Sequence, residues 1–386
     1  MTFAKLPYAL KVALYVLLLC AGILPVLYRE LPKEVAPDFV LDNSSALNSA
    51  RSNMTMAYAC ENCIVPSVHG ANVIEKLDGG LFATWFGGSR EGGKDVVLWG
   101  ADYSASEHSW SNPRHIVGPK ETQSALGRYI KTVGNSVLVR GEHDELWLYY
   151  VSVSVGGWAG SSLNQMLSHD EGKTWSAPER LITSPFFNIS TLNKSAAIHY
   201  SDGSIGLPVY HEFIGKFAEL LRLDNTGQVL HKIRITHARH SIQPLILPLD
   251  SQQAVALMRD TGAAPGHVLL SRTADAGQHW SADEKLQLPN PDSAVAGLRR
   301  PDGSLLLVFN DTVSGRSSLA LAVSRDQGQS WNVVQHFERD SEGKGEFSYP
   351  YLIRTRNGTM HLLYTWNRKR VRHISFNDQW ADGGKP

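Results

Sequence analysis

The sequence predicts an all-β protein, a six-bladed β-propeller that follows an N-terminal membrane anchor or signal segment. One observation is a repeated turn pattern, Ser/Thr-x-Asp-x-Gly-x-x-Trp, which ends at Trp175, Trp280 and Trp331, with a decayed copy ending at Trp110. The Asp accepts backbone N–H bonds in a tight turn, the Gly supplies a positive φ, and the Trp packs the turn onto a sheet. Repetition of this kind indicates the architecture before any single motif is interpreted.

The second observation is an Asp-Gly-like turn between two apolar strands. Its six copies are Asp78-Gly79, Asp144-Glu145, Asp202-Gly203, Asp250-Ser251, Asp302-Gly303 and Asn357-Gly358. Successive copies stand 48 to 66 residues apart, near the length of one four-stranded blade. Six copies therefore predict six blades. No long segment with helical periodicity separates the strands, which argues against a parallel α/β fold.

The N-terminus differs from the rest of the chain. Lys5 and Lys11 precede an apolar run from Val12 to Tyr28, whose length lies between a signal-peptide core and a full bilayer span. Only Ala21 and Gly22 are small enough for a cleavage site, which favours an uncleaved anchor with its positive end in the cytoplasm. A buried core helix is the alternative. We expect an exported, membrane-anchored protein with the propeller on the periplasmic or extracellular side.

The predicted organisation has three parts: a signal anchor or signal peptide over 1–29, a polar stalk over 30–56 and the propeller over 57–386. Cys60 and Cys63 stand three apart, and no second cysteine pair follows, which excludes a tetrathiolate zinc site. In an exported chain this spacing indicates a structural disulfide or two inert thiols.

Composition excludes some functions. Lys plus Arg and Asp plus Glu each number 37, so the formal net charge is zero and no broad basic surface for nucleic acid is expected. No metal-ligand spacing, phosphate loop or nucleotide motif stands out, so we expect neither a metal nor a cofactor.

Strand order predicts where a functional site lies. In an antiparallel blade of strands A to D, the A–B and C–D turns share one face, and both repeated turn patterns occupy those positions. Functional residues are then expected on the opposite face, here named the mouth, just after strand B or just before strand A. These positions hold His69, Arg90, Asp95, Glu212, Gln243, Arg259, Asn310, Asp311, Arg316, Glu346, Tyr349 and Trp366. Solvated arginines and packed aromatics are the alternative interpretation of each.

The first turn pattern resembles the Asp-box, or BNR repeat, of bacterial sialidases. Arg90 and Asp95 match an Arg and an Asp five residues apart in that family's first blade. Arg259 ends an apolar strand and Arg316 stands eight residues before the Ser of an Asp-box, as two of the family's three carboxylate-binding arginines do. Tyr349 opens the last blade. The chain resembles a divergent branch of bacterial exo-α-sialidase-like propellers.

This resemblance implies a retaining exo-glycosidase that hydrolyses a terminal acidic sugar of a glycan or polysaccharide. Tyr349 would be the nucleophile, Asp95 the acid/base, and Arg259 with Arg316 would hold a carboxylate. A phenol suits this task, because an attacking carboxylate would be repelled by the carboxylate of the substrate.

The chain departs from the family pattern at two positions. His69 stands where the first arginine is expected, and the uncharged Gln243 lies near the place of the glutamate that activates the tyrosine. Glu212 or Glu346 would have to replace that glutamate. We therefore predict Asp95, Tyr349 and Glu212 as catalytic. The predicted substrate-binding residues are His69, Arg90, Gln243, Arg259, Arg316 and Glu346.

Two other functions fit the same residues. In an acidic-polysaccharide lyase or a different glycosidase, arginines neutralise a uronate while His69 and Tyr349 transfer protons. A non-catalytic carbohydrate-binding propeller would bind without turnover.

Overall fold

The computed structural model describes residues 7–29, 36–41, 51–184 and 188–384. The chain divides into a unit that ends at Pro37 and a larger unit that begins at Asp38. The apolar run of the first unit forms helix α1 (Tyr8–Arg29). In the described ranges, no helix combines the length and the apolar character needed to cross a membrane. Lys5 and positions 30–35 and 42–50 of the predicted stalk lie outside the described residues.

The larger unit is a six-bladed β-propeller, as the repeated turns predicted. Its described residues form six antiparallel sheets. The outer strand of the sixth sheet is the first in the chain, β1 (Met54–Cys60). Blade one contains β2 (Ser67–Glu75), β3 (Leu81–Gly88), β4 (Val97–Ser104) and β5 (Ser109–Trp110), and β6 (Arg114–Val117) also pairs with β4. Helix α2 (Pro119–Leu126) leads to blade two, with β7 (Thr132–Arg140), β8 (Leu146–Val153), β9 (Ser161–Ser168) and β10 (Glu179–Arg180).

The remaining blades repeat the arrangement. Blade three has an interrupted first strand, β11 (Leu192–Asn193) and β12 (Ile198–His199), followed by β13 (Ile205–His211), β14 (Phe217–Leu223) and β15 (Val229–Arg234). Blade four contains β16 (Ser241–Pro248), β17 (Ala254–Asp260), β18 (His267–Thr273) and β19 (Glu284–Pro289). Blade five contains β20 (Ala296–Arg299), β21 (Leu305–Phe309), β22 (Ser318–Ser324) and β23 (Asn332–Arg339). Blade six contains β24 (Phe347–Arg354), β25 (Met360–Trp366), β26 (Arg370–Phe376) and β1, with helix α3 (Asp378–Ala381) after β26.

The first strands of the blades form the inner ring. Strand β2 contacts both β7 and β24, β20 contacts β16 and β24, and β11 and β12 bridge β7 to β16. Side chains from neighbouring blades fill the space between the sheets, for example Phe82 and Leu148 between blades one and two. Because both faces of a blade are covered, strands such as β21 are apolar and buried throughout. The hydrophobic core thus consists of clusters of side chains between neighbouring blades.

The repeated turns occupy the predicted places. All six Asp-Gly-like turns join the first and second strands of a blade, and the Asp-boxes join the third and fourth. In the box of blade two, Gly172 N–H donates to Ser168 Oγ at 2.9 Å and the Trp175 indole donates to the Gly172 carbonyl at 3.1 Å. Asp170 accepts the Thr174 N–H at 2.8 Å. The order of the strands places both turn sets on the face opposite the mouth.

Two pieces of the predicted stalk belong to the propeller unit. Phe39 is buried, and its ring lies 5.2 Å from that of Tyr200 in blade three. Residues 54–56 are part of β1, which pairs with β26 from Met54 opposite Phe376 onward. The blade therefore starts three residues before the boundary expected at 57. Cys60 and Cys63 form a disulfide at the end of this strand.

Candidate functional site

The mouth is built where first strands carry β-bulges. Registers shift between His69 and Asn72 in β2, Gly134 and Ser136 in β7, Ile242 and Leu245 in β16, and Ser348 and Tyr351 in β24. Inside two of these bulges, Gln243 and Tyr349 have φ of 54° and 53°. Left-handed backbone costs such residues about 1–3 kcal/mol and concentrates at functional sites, and a bulge re-aims neighbouring side chains. The bulges bring Gln243 and Tyr349 into contact.

The Tyr349 phenol oxygen accepts two hydrogen bonds. Gln243 Nε2 donates to it at 3.0 Å and Arg259 Nη1 at 3.4 Å. Arg259 Nη1 also donates to Gln243 Oε1 at 3.3 Å, which fixes the orientation of the amide. Two donors, one of them charged, stabilise negative charge on a phenol oxygen. The arrangement therefore favours a nucleophilic or proton-transferring tyrosine.

A second tyrosine joins this cluster from blade three. Gln243 Nε2 also lies 3.3 Å from the Tyr210 hydroxyl, and Asn135 of blade two donates to the same hydroxyl at 3.2 Å. Burial, followed by the nearby Tyr349 and Glu212, raises the pKa of Tyr210 well above its ordinary value. Tyr210 therefore stays protonated, and it links blades two, three and four beneath the mouth.

His69 packs against Tyr349, with ring centroids 4.1 Å apart. Its Nδ1 lies 2.9 Å from Thr365 Oγ1, and its buried Nε2 has no hydrogen-bond partner among the described residues. Burial lowers the pKa of His69 well below its ordinary value, and the neighbouring cations Arg368, Arg316, Arg259 and Lys194 lower it further. His69 is thus a neutral imidazole at pH 7.

Acidic groups connect the arginines of the mouth. Arg259 Nε donates to Asp292 Oδ1 at 2.6 Å, and Arg316 Nη2 donates to the Asp292 carbonyl at 2.9 Å. Glu346 Oε1 accepts from Arg368 Nε at 2.6 Å and lies 3.5 Å from Arg316 Nη1. The carboxylates hold the three guanidinium groups in fixed orientations around Tyr349.

Sequence reasoning missed three residues of this cluster. Arg368 lies two residues after the end of strand β25, where the strand-order rule applies, but the rule pointed to Trp366. Asp292 precedes β20, where the same rule applies. Lys194 carried no signal, because it lies between β11 and β12 and is buried, with its Nζ donating to the carbonyls of Val295 at 2.8 Å and Pro350 at 2.6 Å.

The predicted activators differ in their surroundings. Glu346 is held by two arginines, and Ser348 Oγ donates to the same carboxylate oxygen at 3.1 Å. Glu212 follows β13, and burial raises its pKa, although Lys216 and Arg259 oppose that change. Burial thus makes the Glu212 carboxylate more basic than an exposed one, while Glu346 contacts two arginines.

Asp95 and Arg90 lie on the exposed loop between β3 and β4. The Asp95 carboxylate accepts the Ser89 N–H at 2.7 Å and the Ser89 hydroxyl at 2.8 Å, and these hydrogen bonds lower its pKa. Glu91 on the same loop accepts a hydrogen bond from Arg368 and so joins the loop to the mouth. Within the described residues, Asp95 makes no hydrogen bond to Tyr349, and its role as acid/base stays a prediction.

A metal site was not expected. Over the ranges that the structure describes, no group of three or more His, Cys, Asp or Glu side chains is arranged to hold a metal ion.

Comparison with known proteins identifies the family to which the chain belongs. Residues 79–362, more than half of the chain, match the family described as BNR repeat-like domain. A protein named sialidase from Bacteroides fragilis (strain YCH46) is 25% identical over 235 residues, which cover 54% of this chain and 40% of that protein. The chain thus matches about two fifths of the length of this curated relative.

Solved structures share the fold. The Hadza microbial sialidase Hz136 superposes with a TM-score of 0.70 at 15% identity, over 84% of this chain and 69% of that one. An α-L-arabinanase from Penicillium chrysogenum, solved with arabinobiose, superposes with a TM-score of 0.63 at 12% identity, over 85% and 98% of the two chains. These likenesses show the propeller fold. By the extent of its match and its Asp-box blades, the chain belongs to the BNR repeat-like domain family.

Proposed function

We propose that this protein is a retaining exo-glycosidase that hydrolyses a terminal acidic sugar from a glycan or polysaccharide. The observation that carries the proposal is the Tyr349 oxygen, which accepts from Gln243 and Arg259 at the centre of a cluster of cations. An anionic sugar bound there meets complementary charge, and forked guanidinium groups suit a carboxylate. The sialidase of Bacteroides fragilis, 25% identical over part of the chain, supports the same substrate class.

The proposed reaction has two steps. The Tyr349 oxygen forms a bond to the anomeric carbon as the glycosidic bond breaks, and Asp95 gives its proton to the leaving oxygen, a step that requires acidic pH because the Ser89 hydrogen bonds lower the pKa of Asp95. The phenol proton passes to Glu212, whose pKa is raised by burial and which lies close enough to Tyr210 to raise the pKa of that phenol as Tyr349 does. Water, deprotonated by Asp95, then attacks the anomeric carbon and releases Tyr349 as a phenolate, which takes its proton back from Glu212. Two successive inversions at the anomeric carbon retain the configuration.

A panel of aryl glycosides tests this function. The purified protein is expected to release the aryl group from acidic glycosides such as sialosides or uronides, with retained configuration in the first-formed sugar, and to leave the neutral glycosides intact. Tyr349→Phe should abolish the release. Failure of the wild-type protein to turn over any acidic glycoside or acidic oligosaccharide would overturn the proposal.

One observation favours a second candidate, an acidic-polysaccharide lyase. His69 is a neutral imidazole near several cations, its ring lies tilted against that of Tyr349, and its Nε2 has no hydrogen-bond partner among the described residues. In a β-elimination, His69 would take the proton from the carbon beside the carboxylate, a carbon–carbon double bond would form, and Tyr349 would protonate the leaving oxygen as its bond to carbon breaks. An unsaturated, ultraviolet-absorbing product that His69→Ala no longer forms would identify this reaction.

We also propose that the protein is exported. The lysine-flanked apolar run that forms α1 supports this, and so does the Cys60–Cys63 disulfide, because disulfides persist in oxidising compartments. A fusion of residues 1–56 to a reporter that is active only outside the cytoplasm should be active. An inactive fusion, present at normal levels, would contradict export.

A further inference from the structure

Blade two carries a pair of arginines that the proposed reaction does not use. Arg128 lies between α2 and β7, and Arg180 ends β10. Both reach the start of β9, which is on the mouth because β9 begins where the connection from β8 returns. The pair therefore shares a face with Tyr349.

The two guanidinium groups converge on one hydroxyl. Arg128 Nη1 lies 3.4 Å from Ser162 Oγ, and Arg180 Nε donates to the same oxygen at 3.1 Å. Arg128 Nη2 donates to Ser154 Oγ at 2.7 Å, and Arg180 Nη2 donates to the Asn188 carbonyl at 2.5 Å. The partners in these four contacts, all among the described residues, are neutral groups, so the two positive charges remain uncompensated by these contacts.

The positive charge of the pair is not balanced by ion pairs with the described residues. In the described part of the chain, neither Arg128 nor Arg180 forms an ion pair with a carboxylate, in contrast to Arg259, Arg316 and Arg368 of the central cluster. Burial lowers the pKa of Arg180, and the neighbouring Arg128 lowers it further. Two arginines placed side by side without a carboxylate favour an external anion between them.

An open depression with a volume of about 560 Å³ lies beside Arg128. Its lining includes Arg128, Lys120 and the ring of Tyr129, which is 52% exposed. A cationic wall beside an accessible aromatic ring suits a sugar that carries a carboxylate, because the ring can pack on the apolar face of the sugar while the cations bind the acid.

Blade two also contacts the cluster of residues around Tyr349. An oligosaccharide bound at both places would therefore run outward along this blade. Asn135 on its first strand contacts Tyr210, whereas the guanidinium groups of the arginine pair meet at Ser162 on the third strand. Neighbouring strands are about 4.8 Å apart, so the pair is roughly 10 Å farther from the axis than Asn135. That offset is larger than one sugar ring and fits the next units of an oligosaccharide.

We propose that Arg128 and Arg180 form a second anion-binding subsite, which takes an acidic unit next to the terminal sugar. It follows that the substrate is an oligosaccharide or polysaccharide with several acidic units, rather than a glycan with a single acidic cap. The assignment of the subsite to that neighbouring unit rests on the proposed function, because it takes Tyr349 as the point of cleavage.

Binding to a cleavage-deficient protein tests the subsite independently of turnover. Tyr349→Phe is compared with the same protein carrying Arg128→Gln and Arg180→Gln, by calorimetric titration with a sialic acid tetramer, a galacturonate tetramer and the two monosaccharides. Arg272→Gln in the same background is the control, since Arg272 lies on the opposite face and donates to the Gln327 carbonyl. Thermal unfolding of each variant checks that it is folded, and Arg128→Lys with Arg180→Lys replaces the Gln pair if that pair is not.

The expected result is that a tetramer binds about 10- to 100-fold more weakly after loss of the pair, with monosaccharide affinity and the control unchanged. Equal tetramer affinities with and without the pair would overturn the subsite. An equal loss for monosaccharide and tetramer would also overturn it, because the pair would then act on the central site. Absence of hydrolysis by the wild-type protein, with the tetramer difference present, would reject the glycosidase and keep the anion subsite.

Discussion

Gln243 donates a hydrogen bond to the Tyr349 phenol oxygen at 3.0 Å, where the resemblance to sialidases led us to expect a glutamate nearby. An amide cannot accept the phenol proton as a base, but it stabilises charge on the oxygen. Arg259 adds a second donor at 3.4 Å. Among the described residues, the Tyr349 oxygen is thus contacted by two hydrogen-bond donors and by no carboxylate.

Gln243 should therefore matter as a donor. Gln243→Leu is expected to lower kcat by about 10- to 1,000-fold, in the range found when one donor to a developing charge is lost. Gln243→Glu should keep much of the activity, because its carboxylate can pair with Arg259 and accept the phenol proton. The pH–rate profiles of the three proteins, measured on the best acidic glycoside, check this. Similar rates for wild type and Gln243→Leu would show that the contact is not used.

Arg259 and Arg316 are expected to bind the acidic group of the substrate. Removal of either guanidinium should cost about 2–5 kcal/mol, or roughly 30-fold to several-thousand-fold in kcat/KM. Arg316→Lys should also be impaired, since a point charge does not replace a fork. Kinetics on acidic and neutral aryl glycosides separate charge binding from general damage. Unchanged kinetics on an acidic substrate after both substitutions would remove the carboxylate-binding role.

The burial of Lys194 predicts that the stability of the folded protein depends on pH. Burial, with a smaller contribution from Arg259, lowers its pKa from 10.5 to about 7 in the folded protein. Below about pH 7 both states bind the proton and the full cost of burying the charge is present. Between about pH 7 and 10 only the unfolded chain keeps the proton, so stability rises with pH in this window.

Urea unfolding across that window tests the effect. The stability of wild type relative to Lys194→Met should increase from about pH 7 to about pH 10, whereas the exposed Lys173→Met should track wild type throughout. Parallel curves for wild type and Lys194→Met would show that Lys194 does not titrate in this range.

Strand β1 closes the propeller, because it pairs the start of the domain with β26 in the last blade. Deletion of residues 1–50 is expected to leave a cooperatively folded protein. Deletion of residues 1–60 removes the strand and should lower Tm by about 5 °C or more. Calorimetry of the two truncated proteins and the full chain decides the matter. Equal Tm values for both truncations would contradict a closing role for β1.

Much of the fold followed from the repeated turns, because an Asp-Gly turn and an Asp-box each depend on local hydrogen bonds that the sequence encodes directly. The mouth positions of His69, Gln243, Arg259, Arg316, Glu346 and Tyr349 followed from strand order. The start of the propeller could not be predicted from the sequence, because β1 is exposed at Thr55 and Met56 and pairs with β26 near the other end of the chain.

Arg368 illustrates why other residues of the site could not be predicted from the sequence. It stands in the run Asn367-Arg368-Lys369-Arg370, and sequence alone does not say which basic residue faces the site. The hairpin turn decides it, since Asn367 and Arg368 take left-handed backbone with φ of 50° and 58°. The arginine then reaches Glu346 and Glu91. Contacts of this kind depend on the closed ring, which no local pattern encodes.

Covalent trapping tests most directly whether Tyr349 is the nucleophile. Wild-type protein is incubated with a fluorinated acidic sugar that forms the glycosyl-enzyme quickly and hydrolyses it slowly, and then digested for mass spectrometry. If Tyr349 is the nucleophile, a sugar adduct is expected on Tyr349 of the wild-type protein and is absent from Tyr349→Phe. An adduct on another residue, or full activity of Tyr349→Phe, would contradict it.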